Sequence, residues 1–386
     1  HSHLHSTAAM DILRYQPFKG LYALSATVFE LLRLPLWFLK YITPLGRQHA
    51  QWSFRQAFSV RLFFSVVHHI ARLQIKTPLP LTPGKEKERF LVIAPPSDSY
   101  FIGPFAPTQD VKPVPTGASW YPAPLTASSD TASLTVVLHL HGGAYVLGDG
   151  RTQASGYFVS KLLKHAGATH VLAPQYRLSS LPAGPGSNPF PAAVQDCLAA
   201  YLYLMKELRI SPKNIVLSGD SAGANAAISL LRYITEYGEK LDIPAPSAAW
   251  LWSPWVSPKS SIHREQLHSN RNYGSDYLSY NFTAWGGYAY AGSAGPEFLE
   301  SEYISHGGKP FRTHTPLWVN TGGAEVLYFD DCEWANMMMK AGNDVTLDVE
   351  EKVPHDVLLV GASLGFDAEA TACAKRAGLW LKEARK

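Results

Sequence analysis

The stretch GDSAG, residues 219–223, sets a serine between small residues and is the first place where the chain offers covalent chemistry. It follows the apolar run NIVLSG and opens the helix-like segment SAGANAAISLLRYI, so Ser221 is expected at a tight strand-to-helix turn. Glycines at 219 and 223 spare such a turn the collision of a Cβ with strand or helix, and a helix N-terminus behind the hydroxyl favours developing negative charge. The chemistry implied is attack by a serine hydroxyl on an acyl carbon. A second motif, HLHGGAYVLG, follows the run LTVVLHL. There the N–H groups of Gly142 and Gly143, with that of Ala222, predict a three-donor oxyanion hole. His141 is expected to brace this loop rather than act as base, and His139 to pack. The base is sought elsewhere. EKVPHDVLL places His355 just after the run DVTLDVE, and TGGAEVLYFDD places Glu325 just after PLWVNTG, with Asp330 and Asp331 as rival carboxylates. His355 would take the serine proton and return it to the leaving alcohol; Glu325 would fix its tautomer.

These side chains need a scaffold, and the alternation of the chain supplies one. LTVVLHL, THVLAP, NIVLSG, SAAWLWS, PLWVNTG and DVTLDVE read as strands, several apolar on both faces. Segments such as GYFVSKLLKHAG and PAAVQDCLAAYLYLMKEL between them carry helical periodicity. The fold class is therefore α/β, a mostly parallel central sheet flanked by helices. FLVIAP and the Pro-rich stretches around it, from residue 76, read as a linker and an antiparallel opening hairpin. At 386 residues, 46% hydrophobic and 17% charged, the chain can bury a large core. A net charge of +3 without a long Lys/Arg run argues against a nucleic-acid partner. Three scattered cysteines, Cys197, Cys332 and Cys373, give neither a disulfide framework nor a zinc site, and no cofactor or metal is predicted.

The N-terminal stretch raises a separate question. HSHLHSTAA, residues 1–9, reads as a tag remnant. Between residues 20 and 42 the chain is strongly apolar, yet Glu30, Arg33, Lys40 and Pro35 argue against a spanning helix, and a basic n-region with a cleavage site is missing. This predicts an intracellular, cytoplasmic protein, with peripheral membrane association as the alternative. Leu21, Leu24, Val28, Leu31, Leu32 and Leu39 recur at helical spacing, as do Phe54, Phe58, Leu62, Val66 and Leu73, so two amphipathic helices are expected to pack on the body. A lid over the pocket is favoured over an interfacial anchor because the basic residues do not gather on one helix face.

HGGAYVLG, the segment LAPQYRLSS…NPFPAAVQDCLAAYLYL and GDSAGAN together resemble the hormone-sensitive-lipase-like branch of the α/β hydrolases, the group of carboxylesterases and arylacetamide deacetylases. The resemblance runs from about Leu134 to the C-terminus, and the order Ser221, Glu325, His355 fits it. It implies an esterase with a Ser/acid/His triad and a cap. The expected division is a helical cap segment over 10–75, core over 76–257, a cap insertion over 258–310 and core again over 311–386. Two departures stand out: the tight YRLAPE-type turn is stretched to YRLSSLPAGPGSNPFPAA, and the acid motif reads AEVLYFDD. Asp220 and Asp196 are expected to buttress backbone turns. Seven aromatics over residues 272–292 should pack the cap and partly line an apolar pocket. The leading expectation is hydrolysis of a small hydrophobic ester; acyl transfer or cyclisation in a biosynthetic pathway, and a ligand receptor without catalysis, are the alternatives.

Overall fold

Parallel strand runs that are apolar on both faces must be covered on both sides, and the computed structural model, which describes Leu13 and residues 15–386, shows that arrangement. The expected tag remnant, residues 1–9, lies outside the described residues. The strands are β1 (Phe90–Ile93), β2 (Thr116–Tyr121), β3 (Val136–Leu140), β4 (His170–Pro174), β5 (Ile215–Asp220), β6 (Ala248–Trp252), β7 (Leu317–Gly322) and β8 (Val345–Glu350). They form one eight-stranded sheet of order β1-β2-β4-β3-β5-β6-β7-β8. β1 and β2 pair antiparallel, as does β2 with β4, and from β4 to β8 every pairing is parallel. Central β3, β5 and β6 are buried along their whole length, as their Val, Leu, Ala and Trp content demands.

The helices, in chain order, are α1 (Phe18–Ile42), α2 (Phe54–Leu73), α3 (Thr152–His165), α4 (Ala192–Leu202), α5 (Ala222–Leu241), α6 (Pro258–Ser261), α7 (Arg264–Ser269), α8 (Tyr280–Ala291), α9 (Tyr328–Lys340), α10 (Val357–Leu364) and α11 (Asp367–Ala384). α5 starts directly behind the end of β5 and is buried through its first thirteen residues, Ala222 to Ile234. Its opening turn is close to steric contact: a Cβ on Gly223 would lie 1.9 Å from the Leu140 carbonyl oxygen, and one on Gly219 2.4 Å from that of Gly223. Only glycine fits at either position.

α2 starts with a capping box in which Ser53 and Gln56 each satisfy the other's backbone N–H. Its anchor to the body is polar: Trp52 donates its indole N–H to the Lys352 carbonyl at 2.6 Å, and Gln56 donates to Gly365 at 3.0 Å. Both acceptors flank the segment that carries His355.

The stripe expected to bury α1 faces the other way. Leu21, Leu24, Val28, Leu31, Leu32 and Leu39 are all exposed, Leu32 by 73%. The helix instead meets α2 through Tyr22, Ala26, Glu30, Leu34 and Trp37, which repeat at a helical period of their own. That inner face holds the hydrogen bonds: the Tyr22 hydroxyl meets His69 Nδ1 at 2.8 Å, and Glu30 pairs with His69 Nε2 at 3.0 Å. On α2 too, Leu62 and Val66 remain exposed while Ala57, Val60, Val67 and Ala71 are buried.

Candidate active site

Ser221 is the residue between β5 and α5, and its backbone is held at φ 51°, ψ −116°. A left-handed φ on a non-glycine residue costs about 1–3 kcal/mol and persists only where its surroundings impose it. Here the Ser221 N–H donates to the Trp252 carbonyl at 2.9 Å, while the Ser221 carbonyl accepts from Trp255 and Asn225. These bonds tie the turn to the end of β6 and point the side chain out of the sheet.

His355 and Glu325 come from the loops after β8 and β7, and the sheet brings them together. His355 Nδ1 lies 2.8 Å from Glu325 Oε2, and both residues are buried. The other Glu325 oxygen, Oε1, accepts from Thr321 Oγ1 and from the Gly322 N–H at 3.1 Å. Of the rival acids, Asp331 is turned toward Thr321, whose hydroxyl lies 2.9 Å from its Oδ2, and Asp330 sits half-buried in the first turn of α9. Neither touches His355. Burial works against the His355 imidazolium, yet the hydrogen bond and charge of Glu325, joined by the charges of Asp276 and Asp220, outweigh it and raise the pKa above the ordinary histidine value. Burial likewise opposes the Glu325 carboxylate, but the bonds from His355 and Thr321 hold its pKa below the usual range. With Nδ1 paired to Glu325, Nε2 is the ring nitrogen left over.

Ser221 and His355 line one cavity of about 210 Å³ together with Gly142 and Gly143. Its remaining wall is mostly apolar: Phe63, Val66 and Ile70 come from α2, and Tyr277, Leu278 and Phe282 from the segment entering α8. Of the seven aromatics in that insertion, Tyr277 and Phe282 therefore reach this cavity. Tyr290 packs instead, stacked 3.7 Å from Tyr145.

The Gly142 N–H donates to Asp220 Oδ2 at 2.9 Å and is not free for a substrate. Gly143 turns the loop at φ +106°, and Ala144 and Tyr145 follow at φ 52° and 63°. Among the described residues the N–H groups of Gly143, Ala144 and Ala222 have no internal acceptor. The three N–H groups left without an internal acceptor are therefore those of Gly143, Ala144 and Ala222, one residue further along the loop than the expected set. The strained turn is clamped from behind, since the Tyr145 hydroxyl donates to Asn225 Oδ1 of α5 at 2.7 Å. His141 braces as expected: its Nδ1 is 2.7 Å from the Gly142 carbonyl and its ring stacks on Tyr176 at 4.1 Å. His139 packs on Phe158 and bridges Ser218 and Asp220. Asp220 and Asp196 do buttress turns, the first through Gly142 and the second through a bidentate bond to Arg177 and its backbone N–H.

Sequence reasoning passed over Asp276. Its carboxylate accepts from the N–H groups of Tyr277 at 2.7 Å, Val326 at 2.8 Å and His355 at 3.2 Å, so one buried side chain gathers the insertion, the acid loop and the histidine loop. Burial pushes its pKa up to about 6, with the His355 charge pulling the other way. An aspartate amid the aromatics of SDYLSY gives no local signal of this role, because its partners lie 50 and 79 residues away.

A serine at the strand-to-helix turn after β5, with a carboxylate and a histidine from the loops after β7 and β8 of the same parallel sheet, is the arrangement of the α/β-hydrolase class. The family model described as alpha/beta hydrolase fold (Abhydrolase_3) matches residues 137–359, and the chain belongs to that family, the hormone-sensitive-lipase-like group whose motifs it carries. An acetyl-hydrolase of Streptomyces hygroscopicus is 33% identical over 216 residues, which is 55% of this chain and 64% of that protein. The chain thus matches just under two thirds of that relative's length. An arylesterase of Saccharolobus solfataricus is 30% identical over 147 residues, 37% of this chain and 44% of that one. Among solved structures, an esterase from the bacterial hormone-sensitive lipase family superposes with a TM-score of 0.57 at 23% identity, covering 92% of this chain and 98% of its own, and shares the fold.

Proposed function

We propose that this chain is a serine carboxylic-ester hydrolase acting on a small hydrophobic ester. The observation that carries the reading is the buried Glu325–His355 pair, 2.8 Å apart, whose histidine lines the same cavity as the strained Ser221. In the reaction Ser221 Oγ attacks the ester carbonyl carbon while His355 Nε2 takes its proton. The carbonyl oxygen becomes an oxyanion facing the N–H groups of Gly143, Ala144 and Ala222. The intermediate then breaks its bond to the alcohol oxygen, which leaves with the proton held by His355. Water repeats the sequence on the acyl-enzyme, freeing the acid and restoring Ser221. Glu325 holds the imidazole with Nδ1 protonated and stabilises its cation.

The apolar walls supplied by α2 and by the segment before α8 support a cap whose described parts are residues 15–75 and 258–310. A cavity of about 210 Å³ suits a short acyl group, and the acetyl-hydrolase likeness points the same way. The test is a panel of p-nitrophenyl esters from acetyl upward, with the products identified. Release of free acid, fastest for short acyl groups, is expected. No turnover across the panel, or transfer to an added alcohol in preference to water, would refute the hydrolase reading.

A further inference from the structure

A helix on a water-soluble surface turns its charges outward and its apolar stripe inward. α1 does the reverse over its 25 residues, about 37 Å of helix. Glu30 and Arg33 lie on the inner face, where Glu30 pairs with His69 and Arg33 covers the Trp37 ring at 5.0 Å. The outer face carries Leu21, Leu24, Val28, Leu32, Leu36 and Leu39, each exposed by 48% or more. Lysines mark its two ends, Lys19 and Lys40. This row is far longer than the scattered apolar residues of an ordinary surface.

The charge around it is as one-sided. From residue 12 to 85 the sequence holds ten Lys or Arg and a single acid, Glu30, whereas residues 86–386 hold 24 Lys or Arg against 29 acids. Lys40, Arg55 and Lys76 are exposed. Whatever covers α1 should be apolar at its centre and negatively charged at its rim, which is the chemistry of an anionic lipid surface.

We infer that α1 docks the protein on an anionic membrane surface, lying in the plane of the interface. By length and composition α1 could also cross a bilayer. Its inner face, however, is hydrogen-bonded to α2, and α2 is anchored beside the His355 loop, so α1 enters lipid on its outer side only. Between the two helices runs an apolar groove of about 310 Å³, and Val66 and Ile70 form a wall of both this groove and the catalytic cavity. Lipid-dissolved esters would therefore meet the groove first and the nucleophile next. This last step rests on the hydrolase reading; the docking does not.

The test compares the full chain with a triple variant, Leu24→Glu, Leu32→Glu and Leu39→Glu, at positions that line neither cavity. Flotation with phosphatidylcholine vesicles containing about one third phosphatidylserine should carry the parent protein at low salt, and roughly 1 M salt should weaken it. The variant should bind at least about tenfold more weakly. Both should hydrolyse a short soluble ester equally, and only the variant should slow on a vesicle-borne ester. A parent protein that stays with the aqueous phase, or a variant that floats as well as the parent, overturns the docking. So does a parent that sediments as a dimer without lipid and is made monomeric by the variant while neither floats, since a second copy would then cover α1. Equal turnover of the vesicle-borne ester by both overturns the substrate route. A protein that floats and yet hydrolyses nothing refutes the hydrolase reading alone.

Discussion

Changing Glu325 to Gln alters few atoms and should nearly abolish turnover, for a reason that can be worked out from its neighbours. Oε1 accepts from the Gly322 N–H at 3.1 Å and from the Thr321 hydroxyl, so a glutamine must place its amide oxygen there. Its NH₂ group then faces His355 Nδ1, where Oε2 stood at 2.8 Å. A donor at that point forces Nδ1 to accept and puts the imidazole proton on Nε2. Nε2 can then no longer take a proton from Ser221. Loss of the imidazolium's counter-charge adds to the effect. In other hydrolytic triads the equivalent change lowers kcat about 10⁴-fold, or about 5.5 kcal/mol of barrier. Steady-state kinetics on a p-nitrophenyl ester, with circular dichroism to confirm the fold, measures it directly. A folded Glu325→Gln protein within tenfold of the parent kcat would refute the tautomer argument and the acid assignment with it.

Further outcomes follow from the same geometry. Since His355 must be neutral to act and its pKa is raised by Glu325, kcat/KM should fall as the pH drops through a value above the ordinary 6.5; in residual Glu325→Gln activity that midpoint should move down, and an unmoved midpoint would deny the coupling. Gly143→Ala meets both a φ of +106° and a Cβ 2.1 Å from the Leu147 carbonyl oxygen, so the loop must shift and kcat should fall about 10²–10³-fold; an unchanged kcat in folded protein places the hole elsewhere. Asp276→Ala leaves the N–H groups of Tyr277, Val326 and His355 without an acceptor, and denaturant titration should show a loss of about 3 kcal/mol or more, at ~1–3 kcal/mol per orphaned group. Stability like that of the parent would remove Asp276 from its proposed place as the junction of the three loops.

The strands of the parallel sheet and the placing of Ser221, Glu325 and His355 were legible because each rests on a local pattern: an apolar run, then a Gly-rich or polar turn. What escaped depends on contacts distant in sequence. Two adjacent glycines in HGGAYV look alike, and only the carboxylate of Asp220, 78 residues on, decides that the Gly142 N–H is taken and the next ones are free. Periodicity revealed that α1 has an apolar stripe but not which way it faces. The facing shows only in contacts distant in sequence, where Tyr22 and Glu30 on the inner side pair with His69, 47 and 39 residues away. Glu325 was preferred over Asp330 and Asp331 by its place after the strand, but that the two aspartates point elsewhere depends on where α9 begins: Glu325 precedes the helix, whereas they lie in its first turn.

The central claim is that Ser221 is a covalent nucleophile activated by His355, and intact-mass spectrometry after treatment with a serine-directed fluorophosphonate tests it most directly. One adduct per chain is expected on the parent protein, mapped to Ser221, with none on Ser221→Ala and a much slower reaction on His355→Ala. An adduct that persists on Ser221→Ala, or a parent protein that takes up no label, would contradict the account.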